Sequence, residues 1–278
     1  MNINECFLKF LHEKESYCAA KTCDYYNNVL HIFRIFLDEN HIIDTSAVNY
    51  DILCDFVLYL RNKGIKNTSI NTYMRAVKNF CSWCIFKGFS EPFNYKVKLP
   101  RPDPDQILPL SSSEVDDILK YIQNDCSKPQ NKELFFRLLL DCGMRSREAL
   151  MLSRDDIDLK NGIIQIRKSK YNKSRMIPLP DCVRALVPDK EGYFFSFGES
   201  GKHDFFVRLR KHTGIRRVRA HLLRHTFATS YMVKVGNLEF LRMYMGHSTY
   251  NVTQNYIQSA YQCNLLKYDI YKIDDIFT

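Results

Sequence analysis

No run of about 18 apolar residues occurs in this chain, so no membrane-crossing helix is expected. Its opening, MNINECFLKFLHEKES, carries acids early and no long apolar stretch ahead of a small-residue cleavage site, and does not read as a secretory signal. Internal repeats and low-complexity segments are absent, which excludes solenoids and fibrous arrays. There is no G-x-x-x-x-G-K loop and no paired-carboxylate metal site, so two common routes to phosphoryl chemistry lack their signatures, and no metal or cofactor is expected. Cysteine is not scarce, at 10, but without a secretory signal these read as reduced thiols, mostly small apolar residues. Cys81 and Cys84 form a lone C-x-x-C in a helical pattern. A zinc site needs a second ligand pair, which only the distant His221 and His225 could offer, so core packing is the expectation.

What is present is a globular composition, 45% hydrophobic and 26% charged, over 278 residues, enough for one large domain or two ordinary ones. The net charge of +9 is concentrated in three stretches, Arg61 to Lys98, Ile164 to Arg175 and Lys202 to Arg219. Three separated basic stretches point to a surface that meets a polyanion along its length, which makes nucleic acid the leading partner class. Richness in Asn, Lys, Ile and Tyr points to an AT-rich bacterial or mobile-element genome, and the reduced thiols without a secretory signal to a cytoplasmic protein.

The periodicity predicts a mainly α fold with a small β-sheet, an α+β class. Residues 1–96 read as a helical bundle. One stripe holds Tyr25, Val29, Ile32, Phe33 and Phe36, and another holds Ile70, Tyr73, Val77, Phe80 and Trp83. Asn67, Thr68 and Ser69 are candidate N-caps, and Gly64 and Gly88 natural stops. Residues 97–108, with prolines at 100, 102 and 104, read as a linker, and 109–278 as a second domain. Ser112 or Ser113 is the expected cap of its first helix, and Gly143 breaks the helical pattern. Asn161-Gly162 opens a hairpin whose polar tip covers residues 169 to 174. Helices are expected over 202–212, 221–235, 237–245 and 252–260.

The second domain offers Arg145 after a glycine break, Lys170 on the hairpin tip, His221 and Arg224 on one helix face, His247 after Gly246, and Tyr256 nine residues later. Each alone has a bland reading as a surface or core residue. Together they are groups that catalyse phosphoryl transfer without a metal: cations neutralise charge on the phosphorane oxygens and a phenol serves as nucleophile.

In order and spacing, GMRSREAL, KYNKSRMIPL, HLLRHTFAT and MGHSTYNVTQNYI resemble the motifs of the tyrosine recombinases, or phage integrases. The resemblance covers nearly the whole chain, since residues 1–96 look like that family's helical core-binding, DNA-clamping domain and the rest like its catalytic domain. It implies a site-specific recombinase that cleaves and rejoins double-stranded DNA through a 3′-phosphotyrosyl intermediate and a Holliday junction, without metal or ATP. Arg145 and Arg224 would clamp the scissile phosphate, with Glu148 as the supporting acid. Lys170 would protonate the leaving 5′ oxygen, His221 would bind phosphate and accept a proton, and His247 would hold a phosphate oxygen. Tyr256 would be the nucleophile. Ser169 and Tyr171 replace the glycines usual beside the hairpin lysine, which leaves Lys168 and Lys173 as rivals; Tyr250 is a rival nucleophile placed too close to His247. His225 has no catalytic part in this reading and is expected to be a satisfied core histidine.

The chain is expected to lack an arm-binding domain, which places it with the compact Xer-like or transposon-integrase branch. The expected partners are a DNA recombination site, contacted by Arg75, Lys78, Lys173, Arg175, Arg216 and Arg217, and further copies of the chain, as a dimer on each site and a tetramer in synapsis. Residues 262–278, with Leu265, Leu266, Tyr268, Ile270 and Ile273, would dock on a neighbouring subunit. Alternatives are a topoisomerase IB-like nicking and resealing enzyme and a non-catalytic DNA-binding protein on the same fold.

Overall fold

The apolar residues of the N-terminal part recur at helical spacing, and they fold as four helices around an aromatic core. In the computed structural model, which describes residues 1–101, 107–125, 127–167, 174–247 and 249–273, the chain divides into two units, Met1–Asp105 and Gln106–Thr278. The first contains α1 (Ile3–Glu15), α2 (Ala20–Glu39), α3 (Tyr50–Asn62) and α4 (Asn67–Phe86). Phe7 stacks on Phe80 at 4.4 Å between ring centroids, and Phe10 stands edge-on to Trp83 at 5.4 Å. Cys81 and Cys84 are buried in this core, where burial pushes the Cys81 thiol up to about 12, so the C-x-x-C is packing.

Two caps differ from expectation. The α4 N-cap is Lys66, with no side-chain capping bond, instead of Asn67, Thr68 or Ser69. The cap of the first helix in the second unit is Ser111, whose hydroxyl takes the Glu114 N–H while Glu114 accepts the Ser111 N–H; the run of three serines hides which one caps. Residues 97–100, expected as linker, pack on α4: Val97 is buried, Lys78 Nζ donates to Val97 O at 2.9 Å and Asn71 Nδ2 to Pro100 O at 3.2 Å.

The second unit contains α5 (Ser112–Asp125), α6 (Pro129–Leu140), α7 (Ser146–Leu150), β1 (Ile157–Asp158), β2 (Ile163–Ile166), β3 (Arg175–Pro178), α8 (Asp181–Arg184), α9 (Glu199–Thr213), α10 (Ala220–Lys234), α11 (Leu238–Met245) and α12 (Tyr250–Leu265). The strands form an antiparallel sheet in the order β1-β2-β3, with Ile164 opposite Ile177 and Ile166 opposite Arg175. Helix α10 is the axis of the unit. Every residue from Leu222 to Tyr231 is buried, because α6 and α12 cover it.

Gly143 lets α10 approach the α6–α7 turn. Its φ is +58°, and a Cβ there would lie 2.4 Å from Phe227 Cδ1. The C-terminal segment departs from the expected exchange with a neighbour. Leu265 and Leu266 are exposed, but Ile270 and Ile273 are buried in this chain's own second unit. Ile270 bridges Ser111, and Tyr268 donates to Pro109 O at 3.0 Å. Truncation from residue 262 would therefore remove part of the core.

Candidate active site

Helix α10 sets the site. Its spacing puts His221, Arg224 and His225 on adjoining positions, and burial of the surrounding residues fixes their direction. Arg224 is 4% exposed. It donates to Gly143 O at 2.5 Å and to Met245 O at 2.6 Å, and its Nη2 lies 3.2 Å from His247 Nε2. Burial, and then the charge of Arg145, lower this guanidinium to about 9, which leaves it cationic at neutral pH.

Arg145 is half-buried at the start of α7. Glu148 faces back to it, accepting from the Arg145 N–H at 2.9 Å and from Nη1 at 2.9 Å, while Arg145 Nη2 donates to Gly246 O at 2.9 Å. These bonds occupy two of the five guanidinium donors and hold the fork in one orientation.

His247 follows the left-handed Gly246, whose φ of +63° ends α11. Because a guanidinium only donates, His247 Nε2 accepts from Arg224, and the ring proton sits on Nδ1, 3.0 Å from Thr253 Oγ1. Burial, then the charges of Arg224, Arg145 and Arg175, lower His247 to about 4. His221 stands at the solvent edge; desolvation and the charges of Arg224 and Arg219 lower it below its usual range. Both imidazoles are neutral at pH 7.

Tyr256, on α12, is 4% exposed. Its ring lies between two histidines, edge-on to His225 at 5.2 Å and parallel to His247 at 6.2 Å between centroids. Burial raises the phenol, and the charges of Arg224 and Arg145 pull it back, which places its oxygen within their field. Tyr250, the rival, is exposed, with the Arg242 guanidinium over its ring at 5.0 Å. The structure thus gathers Arg145, Glu148, His221, Arg224, His247 and Tyr256 in one place. Lys170 and its rivals Lys168 and Lys173 lie outside the described residues.

The end of α11 is where these groups meet. Its Arg242 and Met243 carbonyls accept from the His247 and Gly246 N–H groups, both at 3.0 Å. The next four carbonyls each accept from an arginine: Tyr244 from Arg175 Nε at 2.7 Å, Met245 from Arg224, Gly246 from Arg145, and His247 from Arg242 Nη1 at 3.2 Å. A helix leaves its last carbonyls unpaired and carries partial negative charge there, so cations are stabilised at this end.

The residues expected on DNA divide. Arg75 and Arg216 are exposed, on their separate units. Lys78 is half-buried on Val97 O. Arg175 and Arg217 are corrections. The Arg175 side chain is 10% exposed and forks onto Glu148, Nη1 to Oε1 at 3.0 Å and Nη2 to Oε2 at 2.8 Å. Arg217 pairs with both oxygens of Glu114 and donates to Pro109 O at 3.0 Å. Both forks are committed to internal acceptors. Strand alternation gave the available signal for Arg175, which shares the inward face with Ile177 while Met176 points out. The sequence reading also missed Thr253 behind His247, and Lys202, whose Nζ lies 3.4 Å from Ser146 Oγ beside Arg145.

Comparison with known proteins supplies the context. A family model described as the phage integrase family matches residues 109–195 and 196–263, and one described as the phage integrase N-terminal SAM-like domain matches residues 5–88. The tyrosine recombinase XerA of Saccharolobus solfataricus is 30% identical over 204 residues, which take in 71% of this chain and 65% of that protein. The tyrosine recombinase XerC of Staphylococcus saprophyticus is 24% identical over 279 residues, 91% of each chain. The Tn1549 transposon integrase, solved with circular intermediate DNA, shares the fold with a TM-score of 0.73 at 20% identity, over 94% of this chain and 98% of that one.

Proposed function

This chain belongs to the phage integrase family, and we propose that its second unit cleaves and rejoins double-stranded DNA as a site-specific tyrosine recombinase. One observation carries the assignment of roles: the Tyr256 phenol is buried between the rings of His225 and His247, within the field of Arg224 and Arg145.

Arg145 and Arg224 bind the two non-bridging oxygens of the scissile phosphate, and their fixed forks stabilise the charge that grows there in the phosphorane. The Tyr256 oxygen attacks phosphorus as its proton passes to neutral His221. The bond to the 5′ oxygen breaks, and Lys170 supplies that oxygen with a proton. The product is a 3′-phosphotyrosyl ester and a free 5′ hydroxyl. A 5′ hydroxyl of a partner duplex then reverses each transfer, so the phosphodiester energy is conserved and no nucleotide is consumed. His247 donates to a phosphate oxygen once its ring proton moves from Nδ1 to Nε2, with Nδ1 then accepting from the Thr253 hydroxyl.

The exposed basic residues, Arg75 and Arg216 among them, contact the DNA backbone. Ile257, Tyr261 and Leu265 recur every four residues on the exposed side of α12 and are the surface for a second copy, giving a dimer on each site and a tetramer in synapsis. The relatives reported above are recombinases and an integrase, so the topoisomerase-like and non-catalytic readings are not favoured.

The test is capture of the covalent intermediate. The full chain is incubated with a pool of duplexes of randomised sequence, and SDS-stable protein–DNA adducts are recovered. The expected result is an adduct in the wild type and none in Tyr256→Phe. An adduct that persists in Tyr256→Phe moves the nucleophile elsewhere, with Tyr250→Phe the next variant.

A further inference from the structure

Glu148 serves two arginines at once. Its Oε1 accepts from Arg145 Nη1 at 2.9 Å and Arg175 Nη1 at 3.0 Å, and its Oε2 from the Arg145 N–H at 2.9 Å and Arg175 Nη2 at 2.8 Å. All four lie within ordinary hydrogen-bond length, and the carboxylate is 4% exposed. A carboxylate paired with Arg145 alone would cancel the positive charge that a phosphate needs. With two guanidinium groups on one carboxylate, the cluster keeps a net positive charge. The third donor of Arg175, Nε, closes on Tyr244 O, one residue before the carbonyl that holds Arg224 and two before the one that holds Arg145. The guanidinium also fills the space under the Gly246 turn, where an added Cβ would lie 3.2 Å from its Nη1.

We propose that Arg175 is a positioning residue of the phosphate site: through Glu148 it orients Arg145, and through the Tyr244 carbonyl it fixes the end of α11 on which Arg224 and His247 rest. The proposal rests on the reading that Arg145 and Arg224 hold the scissile phosphate. Arg175 itself touches no DNA in this scheme. It lies on the strand that leaves the hairpin, so it also ties β3 to α7 and α11 at a single point. The electrostatics agree. Burial by itself would raise the Glu148 carboxyl, and the Arg175 bond and charge, followed by the backbone and side-chain bonds from Arg145, outweigh it and hold it at about 2. Without Arg175 the buried Glu148 would take up a proton at a higher pH and release its grip on Arg145.

The experiment compares wild type, Arg175→Lys and Arg175→Gln in the full chain, with two probes. The first is a duplex recovered from the covalent-adduct selection. Arg175→Gln is expected to bind it within about twofold of wild type and to form adduct at least about 100-fold more slowly, with Arg175→Lys in between. The acid limb of its pH–rate profile should move to higher pH, and the additional change Glu148→Gln should remove that displacement. The second probe is inorganic orthophosphate, followed by 31P line broadening with Arg145→Ala as the blank; Arg175→Gln should weaken binding at least about tenfold. Adduct formation and phosphate binding within threefold of wild type would overturn the proposal. So would a loss that matches the unfolded fraction in a thermal melt with the acid limb unmoved. If the wild type forms no adduct with any duplex, the recombinase reading fails, while the orthophosphate measurement still decides the role of Arg175.

Discussion

His225 stands edge-on to Tyr256, with ring centroids 5.2 Å apart and planes at 63°. It is 6% exposed, and its Nδ1 lies 3.3 Å from Thr229 Oγ1, one turn further along α10. The sequence gives this histidine the spacing of a site residue, and the structure gives it the environment of a core residue that touches the nucleophile. Its removal leaves a gap beside the Tyr256 ring and frees that ring to tilt. His225→Ala should slow adduct formation roughly 10- to 100-fold without weakening DNA binding. His225→Phe, which keeps a ring edge in place, should recover most of the rate. If both variants cleave equally slowly, the ring contact is not what matters.

Acid should destabilise the second unit. Burial, with the charges of His221 and Arg219, lowers His225 from its ordinary 6.5 to about 4. Between those values the unfolded chain binds a proton that the folded chain refuses, so stability is full above pH 6.5 and falls as the pH drops toward 4. A displacement of that size corresponds to about 3 kcal/mol, or roughly 6–12 °C in Tm for a unit of this size. His247, also held at about 4, acts in the same direction. Melting curves from pH 7 to 4 should show this fall, and His225→Phe should flatten it. An unchanged slope in the variant would remove His225 from the account.

Arg216 and Arg217 are neighbours with opposite duties. Arg216 is exposed, whereas Arg217 pairs with Glu114 and bridges to Pro109 O and the Tyr268 hydroxyl. Arg217→Ala should lower stability by about 1 kcal/mol, a modest figure because the pair is partly solvated, and leave the salt dependence of DNA binding unchanged. Arg216→Ala should leave the melt unchanged and reduce the slope of log affinity against log salt by about 1. The reverse pattern would mean that the Glu114 pair opens on DNA.

Much of the site was legible because side-chain spacing carries it. Positions 221 and 224 share a helix face, Glu148 follows Arg145 by three, and Gly246 ends a helix just ahead of His247. The row of carbonyls from Tyr244 to His247 was not legible, since backbone oxygens leave no mark on residue type. Arg175 was misread because charge alone placed it in a basic stretch, while alternation with Ile177 turned it inward. Ile270 and Ile273 looked like docking residues because a short apolar segment has the same pattern whether it covers its own core or another's. Ser112 or Ser113 was the expected cap in the serine run, and the reciprocal Glu114 contact selects Ser111 instead.

Gly143 couples the fold to the phosphate site most directly. Its φ of +58° disfavours any other residue, and a Cβ would lie 2.4 Å from Phe227 Cδ1. Its carbonyl accepts from Arg224, so relief of that clash by moving the α6–α7 turn would carry away a contact of the phosphate clamp. Gly143→Ala should cost about 2–4 kcal/mol, from backbone strain and overpacking together. The protein that remains folded at low temperature should still bind DNA and should form adduct at least about tenfold more slowly. Phe227→Leu in the same chain removes the ring that the methyl meets, so it should restore part of the stability; the strain at φ persists. Should Gly143→Ala melt like the wild type, the turn has room that the Phe227 distance denies. Should it melt lower but cleave at the wild-type rate, Arg224 does not depend on the Gly143 carbonyl for its orientation.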